Sequence, residues 1–356
     1  MQAVVHTASI PERSSTRMIY PLLLLFGQPD LLSDSTDRGE AMSDNYFHWT
    51  RADMPSQVGR RIIVTGASSG LGAIAARELA GAGAHVILAV RDLEKGDRVA
   101  TSIRAGSPGA VCRVEHLDLA ELSSVRAFAD RMLAAGEPVD VLLLNAGVSN
   151  QPYSFTGDGI EKTFATNIVG HFALTNLLLP LLEMGGDPRV VSVGSNLYRR
   201  FRADLAFDDL AFGDYYSPQG SYVRSKVATV LFAAELERRL RSVESPVRSL
   251  IAHPGMSTTP MHDNVTGFVQ KSVMGLAHAL ISRDAEEGVL PLLFAATSEQ
   301  APSMRFLGWH TRRSDKRLWS DEFVGRGADE DLARELWKTL DSVTAEDLGV
   351  FERDSA

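Results

Sequence analysis

Cysteine is almost absent from the chain: Cys112 stands alone among 356 residues, so no internal disulfide can form. That excludes a small secreted scaffold stapled by bridges and fits a reducing cytoplasm. The nine histidines are scattered without a paired ligand spacing. With a single cysteine beside them, no metal site is expected. Excess positive charge is also missing. The formal net charge is −9, the opposite of the basic footprint that nucleic-acid partners require. No apolar run approaches the roughly 20 residues of a bilayer span. The nearest candidate, Met18 to Phe26, is interrupted by Pro21, has acidic residues on both sides and lacks a small-residue cleavage site, so neither a transmembrane segment nor a signal peptide is expected.

What is present suffices for a large core. Hydrophobic residues make up 44% of the chain and charged residues 23%, a composition that folds without metal or disulfide support. Residues 1–41 are rich in Ser, Thr, Asp and Pro without a sustained period, and they read as a disordered extension. Met42 offers an alternative start.

From Arg61 onward, short apolar runs alternate with longer amphipathic stretches. Ile62–Thr65, Val86–Val90, Val111–Leu117, Val141–Leu144, Val190–Val193 and Val247–Ala252 read as buried strands, and Leu71–Ala82, Leu122–Ala135 and Tyr222–Leu240 as helices. The alternation predicts an α/β fold, a doubly wound parallel sheet. Residues 256–283 look like a lid inserted before a helix around Ala285–Ala296, and a last strand is expected near Met304–Leu307. The expected layout is an extension over 1–41, one catalytic domain over 42–313 and a charged tail over 314–356 with a short helix around Glu330–Val343.

Chemistry concentrates at the ends of these strands. Thr65-Gly66-Ala67-Ser68-Ser69-Gly70-Leu71-Gly72 follows the first strand and opens a helix, the setting of a phosphate-binding turn. Gly66 allows a tight exit from the strand. Gly70, Leu71 and Gly72 bring the backbone close to a cofactor, and Ser68 and Ser69 add hydroxyls. The helix N-terminus offers free N–H groups and positive dipole to a pyrophosphate. Read as structure alone, the segment is a glycine loop. The second strand ends at Val90, where an NAD-selecting acid would stand, and Arg91 follows. Arginine accommodates a 2′-phosphate, so NADP(H) is preferred and NAD(H) is the alternative. Asp92 could serve the ribose, or simply cap the next helix. Asp118, with Leu119 beside it, follows the third strand and could accept from the adenine amino group.

Tyr222 and Lys226 lie four residues apart, on one face of a helix. An ordinary phenol, with a pKa near 10, is too weak a base at neutral pH, and a nearby ammonium would favour phenolate. The plain alternative is an exposed lysine beside a packed tyrosine. Ser195 lies just past the strand Val190–Val193, at the sheet's carboxyl edge, where ligands bind in such folds. Asn145, Ala146 and Gly147 close the fourth strand in the equivalent place. Asn167 falls on the next helix as either a structural or a water-ordering residue. Pro254 and Gly255 follow the sixth strand and could embrace a nicotinamide, with Thr259 near its carboxamide. Arg199, Arg200, Phe201 and Phe207 precede Tyr222; they are either one wall of a cleft or, for the arginines in particular, a solvated loop.

In this order, TGASSGLG at 65–72, NAG at 145–147, Asn167, Ser195, YVRSK at 222–226 and PGMSTT at 254–259 resemble the short-chain dehydrogenase/reductase family over about residues 59–310. The resemblance implies a Rossmann fold, with Tyr222 as acid/base and Lys226 lowering its pKa while binding the nicotinamide ribose. It also implies that Ser195 orients the substrate and that Asn167 holds a relay water. VRDLEKG at 90–96, the wide gap between Ser195 and Tyr222, and HWTRADMPSQVGRRIIVTGA are similar to the bacterial retinol dehydrogenase and protochlorophyllide reductase-like group. That similarity implies NADP(H) and an apolar carbonyl or alcohol substrate, and it allows a homodimer or homotetramer. Two departures stand out: Gly194, where a serine often precedes the catalytic one, and the N-terminal extension. The expected function is oxidoreductase. A dinucleotide-binding regulator without turnover and an epimerase or dehydratase using bound NAD are the alternatives.

Overall fold

The apolar runs Ile62–Val64 and Val141–Leu143 have no exposed surface, as strands covered on both faces require. A computed structural model of the chain describes residues 45–200, 205, 207, 210, 216–255, 284–309 and 317–344. The expected extension, the inserted lid, Thr259 and Phe201 lie outside these residues.

The strands are β1 (Tyr46–Phe47), β2 (Arg61–Thr65), β3 (His85–Val90), β4 (Val111–His116), β5 (Val141–Leu144), β6 (Arg189–Val193), β7 (Arg248–Ala252), β8 (Phe306–Trp309) and β9 (Leu318–Asp321). They form one sheet in the order β1-β9-β8-β7-β6-β5-β2-β3-β4. Every pairing from β4 across to β8 is parallel, whereas β9 and β1 add on antiparallel. The chain runs outward from β2 to β4 and then returns to place β5 on the other side of β2. This reversal opens a crevice at the carboxyl ends of β2 and β5.

Helices cover both faces. On one lie α1 (Gly70–Gly81), α2 (Leu93–Gly106) and α6 (Leu290–Thr297); on the other lie α3 (Leu122–Ala135), α4 (Gly170–Glu183), α5 (Pro218–Ser242) and α7 (Glu330–Thr344). The helical stretch Lys162–Glu183 is long and apolar enough to cross a membrane by length and composition, but 83% of its apolar window is buried within the fold. Between sheet and neighbouring helices, such a stretch is a core helix.

The C-terminal residues depart from the expected appended tail. Strand β9 pairs with β8, and α7 buries Leu336, Trp337 and Leu340. The Trp337 ring lies 4.9 Å from Phe172 on α4 and 6.0 Å from Phe232 on α5, with Arg239 stacked over it at 4.4 Å. The sequence beyond Ser314 is charged, yet α7 carries an apolar stripe that would be exposed unless packed here. The last parallel strand begins at Phe306, not Met304, whose φ of +56° belongs to the preceding turn.

Candidate active site

The site begins with three close backbone approaches. Gly66 leaves β2 with φ +67°, and a Cβ there would lie 2.9 Å from the Ala146 Cα. A Cβ on Gly72 would lie 2.4 Å from Asn145 Nδ2 and 2.5 Å from the Gly66 carbonyl oxygen. A Cβ on Gly147 would meet Asn167 Oδ1 at 3.3 Å and Lys226 Nζ at 4.0 Å. Only glycine at 66 and 72 lets the β2 turn and the β5 end crowd together in this way. Thr65 joins the first two: its Oγ1 accepts from Ala146 N at 3.0 Å and its carbonyl accepts from Asn145 Nδ2 at 2.9 Å.

The start of α1 fits a dinucleotide pyrophosphate. Ser69, its N-cap, makes no side-chain cap hydrogen bond, and no acid stands in the first turn. In contrast, Asp92 caps α2 through Lys95 N and Ser217 caps α5 through Gly220 N. An uncapped helix start, aimed from the carboxyl edge of β2, leaves its N–H donors for an anion. Asp92 is thus committed as a helix cap. Arg91 is two-thirds exposed, with its Nε 4.0 Å from Asp118 Oδ2, and Asp118 Oδ1 accepts from Ala120 N at 3.0 Å. Leu119 is buried; its carbonyl packs so tightly on α4 that a Cβ at Gly170 would lie 2.2 Å from it. Pro254 and Gly255, the latter at φ +79°, follow β7.

Asn167 sits in a wide π-turn, Ala165–Val169, just before α4. Such bulges expose backbone and redirect side chains within a helix. Its Oδ1 accepts from Val148 N at 2.8 Å, while its Nδ2 donates to the Val148 carbonyl at 3.0 Å and to Ser225 Oγ at 2.9 Å. Ser225 in turn donates to the Tyr222 carbonyl at 2.7 Å. The amide therefore ties the loop after β5 to the helix carrying Tyr222 and Lys226.

Ser195 stands close enough to the Tyr222 phenol to lower its pKa, and its Oγ accepts from Leu197 N at 3.3 Å. Lys226 is buried; its Nζ donates to the Val193 carbonyl at 2.8 Å and lies 5.8 Å from the centre of the Tyr222 ring. Burial pushes the Tyr222 pKa up to about 12, with Ser195 opposing it, and brings Lys226 down to about 8. This corrects the expected depression of the phenol pKa. Desolvation disfavours both charged forms and governs both shifts, while the ammonium faces the Tyr222 ring and the β6 carbonyl. The expected residues Asn167, Ser195, Tyr222, Lys226 and Gly147 nevertheless share one site.

Other expectations for the flanking segment change. Arg199 is not a solvated loop residue: it pairs with Asp321 at 2.8 Å and lies over the Tyr198 and Phe306 rings. Phe207 is buried near Phe164 as core. Two residues escaped the sequence reading. Glu161, fully buried, accepts from Thr163 N, Phe164 N and the Ser221 hydroxyl, so it joins the π-turn to α5 just before Tyr222. His171, also buried, lies 3.0 Å from Thr65 Oγ1. Neither residue carries a periodic signal, and the side chains that complete their bonding, Ser221 for Glu161 and Thr65 for His171, lie 60 and 106 residues away.

Comparison with known proteins agrees with this geometry. Residues 60–205 match the short chain dehydrogenase family. The chain is 38% identical over 288 residues to polyprenol dehydrogenase of Mus musculus, covering 80% of this chain and 83% of that protein. It is 36% identical to retinol dehydrogenase 13 of Homo sapiens, covering 78% and 82% respectively. Among solved structures, an uncharacterised protein from Mycobacterium paratuberculosis superposes with a TM-score of 0.66 at 39% identity, covering 83% of this chain and 97% of that one. A short chain dehydrogenase from Shigella flexneri complexed with NADP gives a TM-score of 0.54 at 26% identity, covering 70% and 95%. By ordered motifs, sheet topology and these relatives, the chain belongs to the short-chain dehydrogenase/reductase family and is an NAD(P)-dependent oxidoreductase acting on CH–OH groups.

Proposed function

We propose that the protein uses NADP(H) to interconvert a carbonyl and an alcohol on an apolar small molecule, of the retinoid or polyprenol kind named for its relatives. The observation that carries this reading is the Tyr222 phenol, under the influence of Ser195, with Lys226 one turn away and 5.8 Å from the ring centre. When bound, the dinucleotide supplies or accepts the hydride. Tyr222 holds the proton that the carbonyl oxygen takes up as its carbon is reduced, and in the reverse direction it receives the alcohol proton. Ser195 donates to the same oxygen and holds it against the phenol, where negative charge develops. Lys226, short of partners in a buried site, orients the nicotinamide ribose and offsets charge on the phenolate. Asn167 fixes the loop after β5 beside them. The exposed Arg91 after Val90 supports NADP(H) over NAD(H). We place the protein in the cytoplasm on its single, buried cysteine.

The test is Tyr222→Phe, assayed by NADPH consumption with retinal and a polyprenal and by NADP+ reduction with the matching alcohols. Turnover should fall about 100- to 10,000-fold, the usual worth of a positioned proton donor, while NADPH binding persists. Near-normal turnover would refute the assignment.

A further inference from the structure

His171 lies at the start of α4 with 3% of its surface exposed. Its two ring nitrogens span the gap between the cofactor turn and the π-turn. Nε2 is 3.0 Å from Thr65 Oγ1, at the end of β2. Nδ1 is 3.1 Å from the backbone carbonyl of Asn167. The ring also borders a small cavity with Asn167, Ser192, Lys226 and Thr229.

The partners dictate where the hydrogen sits. A carbonyl oxygen only accepts, so the nitrogen facing Asn167 must carry the proton. Burial, reinforced by the Lys226 ammonium, brings the His171 pKa down to about 4. The ring is therefore neutral near pH 7, and Nε2 is left as an acceptor. Thr65 Oγ1 already accepts from Ala146 N, and its one hydroxyl hydrogen has two acceptors in reach, the Leu143 carbonyl at 3.3 Å and Nε2 at 3.0 Å; with the Asn167 carbonyl holding the proton on Nδ1, the closer contact is made by donation to Nε2. Every donor in the chain Ala146 N, Thr65 Oγ1, His171 and Asn167 carbonyl then has an acceptor. The opposite tautomer would set a lone pair against the Asn167 carbonyl.

We propose that His171, locked as the Nδ1–H tautomer, is a positioning residue that ties the end of β2 to the Asn167 backbone and so fixes the Asn167 side chain against Val148 and Ser225. Its effect reaches the chemistry through α5: Asn167 holds Ser225, and Ser225 holds the Tyr222 carbonyl. The cofactor turn and the proton donor thereby share one rigid frame. The catalytic part of this inference rests on the Tyr222 reading above.

The test uses the full-length protein with His171→Leu and His171→Asn. Leucine removes both bonds. Asparagine retains an N–H donor near the position of Nδ1. The leucine variant should lose about 10- to 100-fold in kcat, the scale of an ångström-sized misplacement, with little change in KM or in the Kd for NADPH. The asparagine variant should recover most of that loss. A folded leucine variant with wild-type kcat, or an asparagine variant no better than leucine, overturns the proposal. Nitrogen-15 NMR of the wild-type ring, assigned by the signal lost in His171→Asn, provides a readout independent of activity. It should show protonated Nδ1 and bare Nε2 at pH 7; an Nε2–H tautomer or an imidazolium overturns the proposal. If the wild-type protein turns over no carbonyl or alcohol, the proton-donor reading falls and takes the catalytic role with it, while the NMR result still decides the bridge.

Discussion

The Lys226 ammonium faces the Tyr222 ring at 5.8 Å from its centre and donates its hydrogen bond to Val193, on β6. Holding a charge there opposes folding. The folded pKa of about 8 lies below the ordinary 10.5, so the unfolded chain binds more proton between these values. Stability should rise with pH across that window, and the full cost, about 3 kcal/mol, applies below it. Lys226→Met should therefore raise stability near pH 7 by about 1–3 kcal/mol while turnover is lost. Urea denaturation at pH 7 and pH 10 checks this; a variant less stable than wild type at pH 7 contradicts it.

Acid should unfold the protein through two histidines. Burial brings both His171 and His253 down to about 4, from an ordinary 6.5. Their neutral forms are retained on folding, so stability is complete above about pH 6.5 and lost progressively toward pH 4, by about 3 kcal/mol for each. His253 faces the Gly194 carbonyl at 3.3 Å and the Phe306 ring. His253→Gln should flatten the acid limb in melts from pH 4 to 7; an unchanged slope would mean that other groups govern it.

Arg91→Ala should weaken NADPH more than NADH, by about 1–3 kcal/mol for one charged hydrogen bond. The side chain is two-thirds exposed, with Asp118 4.0 Å away, so its removal leaves the core intact. Equal losses for the two dinucleotides, measured by fluorescence titration, would reject a 2′-phosphate contact.

Trp337→Ala should cost about 3–5 kcal/mol, as large-to-small core changes do. The ring fills the space between Phe172 and Phe232 beneath Arg239. Because Phe232 lies on α5, turnover should also fall before the chain unfolds. A loss below 1 kcal/mol by denaturant titration would show that α7 is a loosely held appendage.

Much of this fold was legible in the residues. Val141–Leu144 and Leu122–Ala135 form their elements at the bounds read from the apolar pattern, because a doubly covered strand and a one-sided helix have distinct periods. Strands β1 and β9 were not legible: they are short edge pieces, one of only two residues, and carry no period. The apolar stripe of α7 was visible, but its destination against α4 and α5 was not.

The sequence by itself determined the chemistry offered: glycines where backbones must nearly touch, a phenol and an ammonium one turn apart, and a serine at a strand end. Those follow from local geometry and side-chain type. Tertiary structure alone decided the electrostatics and the frame. Burial set the Tyr222 and Lys226 pKa values in the opposite sense to their mutual attraction. A histidine 106 residues beyond Thr65 closes the bridge to Asn167, since solvent exclusion and long-range contact are properties of the packed chain, not of any segment.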